Sequence, residues 1–379
     1  MVKPLMIWQE VQQIDRHLQL LLLALLAVGF VAMTSASVEH AASRYGDTFF
    51  FAKRYGMHFT LALALSAVMY LTPIDFWEKT GWLWLLIGFL LLALVLVPGV
   101  GREVNGSRRW LAVGPLTLQA SEFVKLFVIF YLAGYLVRRG DEVKERWSGF
   151  IKPMAVLFAL TLLLMLEPDF GATVVTAGTA FVMIFLGGVK LGQFLLVILG
   201  CVAGAVALVI FEPYRMKRLT AFTDPWADQF NSGYQLTQSL IAFGRGELTG
   251  VGFGNSVQKL FYLPEAHTDF VFAIFAEEFG FIGTLVILGL FVGLVGRILV
   301  IGRHAELTSR RFHAFVAYGV AMMISAQAFI NMGVNTGLLP TKGLTLPFFS
   351  YGGSSLMVCM AMVALVARIE RECRGEHGR

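Results

Sequence analysis

Charge is scarce in this chain. Only 15% of its 379 residues are Asp, Glu, Lys or Arg, against about a quarter in soluble domains. A water-exposed globular surface is therefore excluded. Cysteine is scarcer still, with three in all. Cys201 and Cys359 fall inside apolar runs and Cys373 in the charged C-terminal tail, so no disulfide framework is available. The seven histidines show no zinc-ligand spacing. No Walker lysine motif is present, and GVGFG at 250–254 lacks the strand–helix setting of a nucleotide fingerprint. No period of 20–50 residues marks a repeat architecture, and no inverted symmetry of the transporter kind is visible. The net charge of +5 comes without a basic-aromatic patch. It reads as loop charge against anionic membrane lipid, not as nucleic-acid binding.

Hydrophobic residues make up 57% of the chain. They gather in runs of about 17–25 residues, each long enough to cross a bilayer as a helix. The expected fold is an all-α polytopic membrane protein of about ten helices. Their rough limits are 18–37, 56–72, 81–98, 116–136, 153–167, 170–188, 192–211, 269–301, 312–336 and 346–367. The first run is long for a signal peptide and reads as a retained helix. The eighth exceeds what a bilayer needs, so it tilts or projects. A short cytoplasmic segment 1–17, a membrane domain 18–367 and a cytoplasmic tail 368–379 follow from these limits.

With the N-terminus inside, about 16 Lys and Arg fall in cytoplasmic segments and about 12 in outer ones. Five of the outer ones lie in the long 212–268 loop, where the positive-inside rule is weak. Both termini are thus predicted cytoplasmic. The outer face then holds 99–115, the turn 167–169, the loop 212–268 and 337–345. Asn231-Ser232 is expected to cap a short helix within the loop, ending at Gly244.

Ionisable groups at membrane depth cost on the order of 3 kcal/mol or more, so they face a cavity or a partner. Three clusters qualify. In QASEFVK, Glu122 and Lys125 share a helix face at i, i+3, as a neutralising pair, a cavity wall, or both. In EPDFGAT, Pro168 breaks the helix and Asp169 either caps the next one or orients a cation or substrate amide. In PEAHTDFVFAIFAEEFG, Thr268 or Asp269 is a candidate cap for the eighth helix, or Asp269 is catalytic. Glu277 and Glu278 lie about two turns deeper, and at least one is expected to face inward and pair. Arg102, Arg108 and Arg109 sit outside against the charge bias, where their forks suit either lipid headgroups or phosphate. Lys342 stands between Pro340 and Pro347, followed by Gly352 and Gly353.

Together, NGSRRWL, LQASEFVKL, EPDFGAT, LPEAHTDFVFA, AEEFG and LPTKGLTLPFFSYGGSS resemble the SEDS family of shape, elongation, division and sporulation proteins. Order and spacing match along nearly the whole chain, and PEAHTDF and PTKGLTLPF look most like the cell-division branch. Two departures stand out: Ala120 where the family often has proline, and Glu167 where it often has glutamine.

The resemblance implies a septal peptidoglycan glycosyltransferase in the bacterial inner membrane that polymerises lipid II and releases undecaprenyl pyrophosphate. It implies Asp269 as the general base. Arg102, Arg108, Arg109, Lys125 and Lys342 are then candidate diphosphate contacts, with Glu122 positioning Lys125 and His267 a loop contact. Ser354 and Ser355 would line a tail-admitting groove. A divalent cation, magnesium or manganese, could share the diphosphate, with no ligands assigned. The implied partners are a class B penicillin-binding transpeptidase and other division proteins. A lipid II flippase, a recruiting scaffold and an elongation-type polymerase are the alternatives.

Overall fold

The computed structural model describes residues 15–104, 107–114, 116–210, 222–340 and 343–374. Among them helices dominate: α1 (Arg16–Tyr45), α2 (Phe50–Leu71), α3 (Ile74–Leu96), α4 (Ala120–Glu145), α5 (Trp147–Leu166), α6 (Phe170–Leu186), α7 (Leu191–Ile210), α8 (Tyr234–Gly246), α9 (Val271–Leu307), α10 (Arg311–Asn335) and α11 (Gly353–Arg374). The ten expected runs each overlap a helix other than α8. Seven helices, α1, α3, α4, α5, α9, α10 and α11, are long and apolar enough to cross a membrane.

The segment 99–119 departs from an all-helical fold. Val97 takes extended backbone before Pro98-Gly99 and ends α3. The chain then forms an antiparallel sheet in the order β1 (Gly101–Val104), β2 (Ser107–Val113), β3 (Leu116–Gln119). Short runs split by Gly114 at φ +60° favour a meander over a helix. β3 leads directly into α4, which therefore starts at Ala120.

Two helix ends also differ from expectation. The run at 346–367 becomes helical only at Gly353, because Pro347 interrupts it and Phe348 sits at φ +63°. Helix α8 is preceded by Gly233 with no side-chain cap; Asp228 instead binds the Ser232 amide and hydroxyl.

Helices α4 and α11 form the centre, with 83% of each apolar stretch buried, whereas α3, α5 and α9 bury a third of theirs or less. Lipid is as apolar as leucine, so close packing and buried polar contacts hold such a bundle together. One ionic cluster closes the end opposite the sheet. Asp15 caps α1 by accepting from the Leu18 amide at 2.7 Å. Arg297 of α9 donates to both Asp15 carboxylate oxygens at 2.9 and 2.7 Å and reaches Glu370 of α11 at 3.2 Å.

Helix α9 is broken at Gly280, whose φ of +65° an L side chain adopts only with strain. The break frees backbone groups for the loop after α8. The Val251 and Gly252 amides donate to the Glu277 and Glu278 carbonyls, and Phe281 and Ile282 donate back to Glu247 and Leu248. Both deep glutamates pair, where at least one was expected to. Glu277 accepts from Ser256 and from the Val257 and Gln258 amides. Glu278 accepts from Lys259 at 2.8 Å and from Ser35 of α1 at 2.7 Å. These contacts fasten the loop that leads to Asp269.

Candidate active site

A polar cavity of about 500 Å³ opens where the sheet, the α5–α6 turn, the 264–270 loop and the 343–355 segment meet. Arg109, Glu122, Asp169, Glu265, Asp269 and Tyr351 are among its walls. Each is held by contacts traceable to its element.

Arg109, on β2, donates from Nε to the Glu167 carbonyl at 3.1 Å and from a terminal nitrogen to the Pro168 carbonyl. It thereby ties the sheet to the α5–α6 turn. Asp169 is the N-cap of α6, accepting from the Ala172 amide at 3.1 Å. Its other oxygen accepts from Ser121 at 2.8 Å and Gln119 at 3.1 Å. Capping and cavity lining thus coincide in one residue. Glu167 is fully buried, and neither carboxylate oxygen has a hydrogen-bond partner. Burial pushes it up to about 8, the neighbouring Asp169 adds to the rise, and Arg109 opposes it.

Asp269 does not cap α9. The N-cap is Phe270, with no side-chain cap bond, so neither Thr268 nor Asp269 serves that end. The α9 N-terminus is capped from α10 instead: Asn335 Oδ1 accepts from the Ala273 amide at 3.1 Å. Asn335 and Asn331 both donate to the Asp269 main-chain carbonyl, at 3.0 and 2.9 Å. The backbone of Asp269 is thus clamped while its carboxylate faces the cavity. A Cβ on Gly343 would lie 3.0 Å from Asp269 Oδ2, so the bare glycine leaves room for that oxygen. Burial pushes the Asp269 carboxyl up to about 7; Glu265 and Asp169 add to the rise and Arg109 opposes it. That value suits a general base near neutral pH.

The other expected residues divide. Glu122, Ser354 and Ser355 line the cavity. Ser354 accepts from the Gln119 amide at 2.9 Å, and Ser355 accepts from Gln327 at 3.1 Å. Lys125 is fully buried behind the wall. It pairs with Glu122 at 2.8 Å and donates to Gln327 at 2.7 Å. Arg102 and Arg108 are exposed on the sheet, with Arg108 paired to Glu103 at 3.2 Å. His267 packs in a ring cluster with His40, Phe51 and Tyr351. Burial lowers its ring to about 4, so it is neutral at physiological pH. Lys342 lies outside the described residues. Among the described residues no three His, Cys, Asp or Glu side chains are grouped to hold a metal ion, so no step is assigned to one.

A family model for cell cycle proteins, FtsW/RodA/SpoVE, matches residues 16–375. The chain belongs to the FtsW/RodA/SpoVE family. Relatives named probable peptidoglycan glycosyltransferase FtsW include one from Pseudomonas fluorescens, 55% identical over 94% of this chain and 88% of the relative. Another, from Saccharophagus degradans, is 50% identical over 97% and 95%. A solved structure described as a peptidoglycan synthase complex coordinating polymerization and crosslinking has a chain that matches with TM-score 0.79 and 31% identity, covering 95% of this chain and 98% of that one. The rod shape determining protein RodA of Thermus thermophilus matches at TM-score 0.70 and 30% identity, covering 95% and 97%.

In this FtsW/RodA/SpoVE protein, sequence reasoning missed Gln327, Asn331 and Asn335. Three amide side chains spaced by four along α10 share one face. In an otherwise apolar helix that spacing was a usable signal, because buried amides must find partners.

Proposed function

We propose that this chain is a peptidoglycan glycosyltransferase that polymerises lipid II for septal wall synthesis. The observation that carries the reading is the Asp269 carboxylate, raised to about 7 and carried on a clamped backbone, on the wall of a cavity that also presents Arg109. The 4-hydroxyl of a GlcNAc on the incoming lipid II attacks the anomeric carbon of the growing glycan. Asp269 takes the hydroxyl proton as the new C–O bond forms. The bond to undecaprenyl pyrophosphate breaks with inversion, and the leaving group carries off the electron pair.

Arg109 offers a guanidinium to the departing diphosphate. Arg102 and Arg108 contribute at the periphery, and Lys342 is a further diphosphate contact. Glu122, on the wall, neutralises Lys125 behind it. Ser354 and Ser355 line the way in, and His267 shapes the loop beside Asp269. The cavity faces the outside, with both termini cytoplasmic, as the Lys and Arg distribution favours. The polyprenyl tails remain in the bilayer while the headgroups enter. A class B penicillin-binding transpeptidase crosslinks the product, and other divisome proteins regulate the pair at the septum.

The test is glycan polymerisation from lipid II by the partnered complex in liposomes. Wild type makes polymer and Asp269→Asn, folded and partnered, makes none. Polymer formed by Asp269→Asn at the wild-type rate rules the reading out.

A further inference from the structure

Joining two polyprenyl diphosphates puts two strongly anionic groups at one site. Among the described residues that line the Asp269 cavity, Arg109 is the single Lys or Arg. Lys125, close by, is already neutralised by Glu122. The tip of the α1–α2 hairpin holds further positive charge. Arg44 lies in the last turn of α1 and Arg54 in the first turns of α2. Both side chains are exposed. Among the described residues neither is paired with a carboxylate, whereas Lys53 between them is taken by Asp47 at 2.8 Å.

The two guanidiniums rest on a built platform. The Tyr45 and Phe50 rings stack at 3.8 Å between centroids with an interplanar angle of 8°. Arg44 lies 6.0 Å from the centre of the Tyr45 ring and Arg54 5.3 Å from that of Phe50. Cation–π contact holds each fork in place and leaves most of its hydrogen-bond donors unused, one donor of Arg54 going to the Tyr351 hydroxyl. Phe51 sets its edge against both rings, and meets Tyr351 at 5.0 Å and 79°. Tyr351 in turn lines the Asp269 cavity, and Arg54 acts electrostatically on its hydroxyl. The aromatic wall therefore runs unbroken from the hairpin tip to the cavity.

We propose that Arg44 and Arg54, carried on the stacked Tyr45–Phe50 pair, form a second diphosphate subsite that holds one polyprenyl-diphosphate substrate while its sugars reach past Tyr351 to Asp269. This rests on the polymerase reading, and it splits the work. Arg109 serves the diphosphate inside the cavity and the hairpin tip serves the other. Arginine forks suit the oxygens of a diphosphate. A tip at the membrane surface also suits a ligand whose tail stays in lipid.

Undecaprenyl diphosphate is the probe. It is titrated onto Asp269→Asn protein with its partner in phosphatidylcholine nanodiscs, so that no turnover intervenes. The parent binds two molecules, the Arg44→Gln/Arg54→Gln variant binds one, and Arg54→Lys retains both with weaker affinity at one. Phosphatidylglycerol added to the discs leaves both sites occupied. In polymerisation with an intact Asp269, the double glutamine variant raises KM for lipid II about tenfold and leaves kcat within about twofold.

Unchanged stoichiometry in the double variant overturns the subsite. So does displacement by phosphatidylglycerol at equal concentration, which makes the tip a general headgroup contact. Binding lost as expected in a complex that never polymerises overturns the enzyme reading alone. Polymerisation with unchanged binding overturns the subsite alone.

Discussion

Asn335 of α10 donates to the main-chain carbonyl of Asp269 at 3.0 Å while its own side-chain oxygen accepts from the Ala273 amide at 3.1 Å. One amide therefore links the proposed base to the start of the helix that follows it. A buried polar group left without a partner costs about 1–3 kcal/mol, and Asn335 is fully buried. Asn335→Leu removes both bonds. The variant is expected to melt lower and to lose at least about tenfold in kcat, because a displaced base reacts poorly. Melting curves and polymerisation rates on the same preparation check this. An unchanged kcat shows that the clamp does not position Asp269.

The raised Asp269 value sets opposite pH trends for rate and stability. As a base it must be ionised, so kcat/KM climbs with pH and levels off above about 7. Its folded value lies above the usual carboxylate value, so the folded state holds this proton more tightly than the unfolded one. That stabilisation is complete below the unfolded value and fades as pH rises through about 7. Melting temperature is expected to fall between pH 5 and pH 8 by more in wild type than in Asp269→Asn, which has no proton to lose there. Parallel melting slopes in the two proteins refute the assignment.

Gly343 bears on the same carboxylate by contact. An added methyl would stand 3.0 Å from Asp269 Oδ2, a separation that forces one group to move. Gly343→Ala is expected to lower kcat about tenfold with a smaller change in KM, since the oxygen is displaced and the rest of the cavity stays. Steady-state kinetics decides, and a loss confined to KM assigns Gly343 to substrate binding instead.

Much of this was legible from residue types alone. The membrane bundle followed from apolar run lengths, and the Glu122–Lys125 pair from its i, i+3 spacing. Inward pairing of at least one of Glu277 and Glu278 followed from the cost of charge in lipid. The sheet at 101–119 was missed because four to seven residues carry too little periodicity to tell strand from loop. The cap of α9 was misassigned because the acceptor comes from Asn335, far away in sequence. The Arg44–Arg54 platform was passed over because a ring stack between two helix ends exists only after the hairpin closes.

The latch beneath the Asp269 loop supplies the last prediction. Lys259 and Glu278 form a buried ion pair at 2.8 Å, and Ser35 accepts from Lys259 at 3.0 Å while donating to Glu278. Removing one member leaves the other buried and charged, a loss of about 3–5 kcal/mol, whereas replacing both with apolar groups is often close to neutral. Glu278→Ala is therefore expected to unfold the loop or the chain. Lys259→Met with Glu278→Leu is expected to restore the melting temperature to near wild type. Glu278 lies on α9 just before the Gly280 break, so the pair acts on catalysis only by holding the 247–263 loop against α1 and α9. The double variant should then polymerise lipid II at a rate close to wild type. A double variant that is stable yet inactive gives the ion pair a direct part in the reaction and removes its purely structural role.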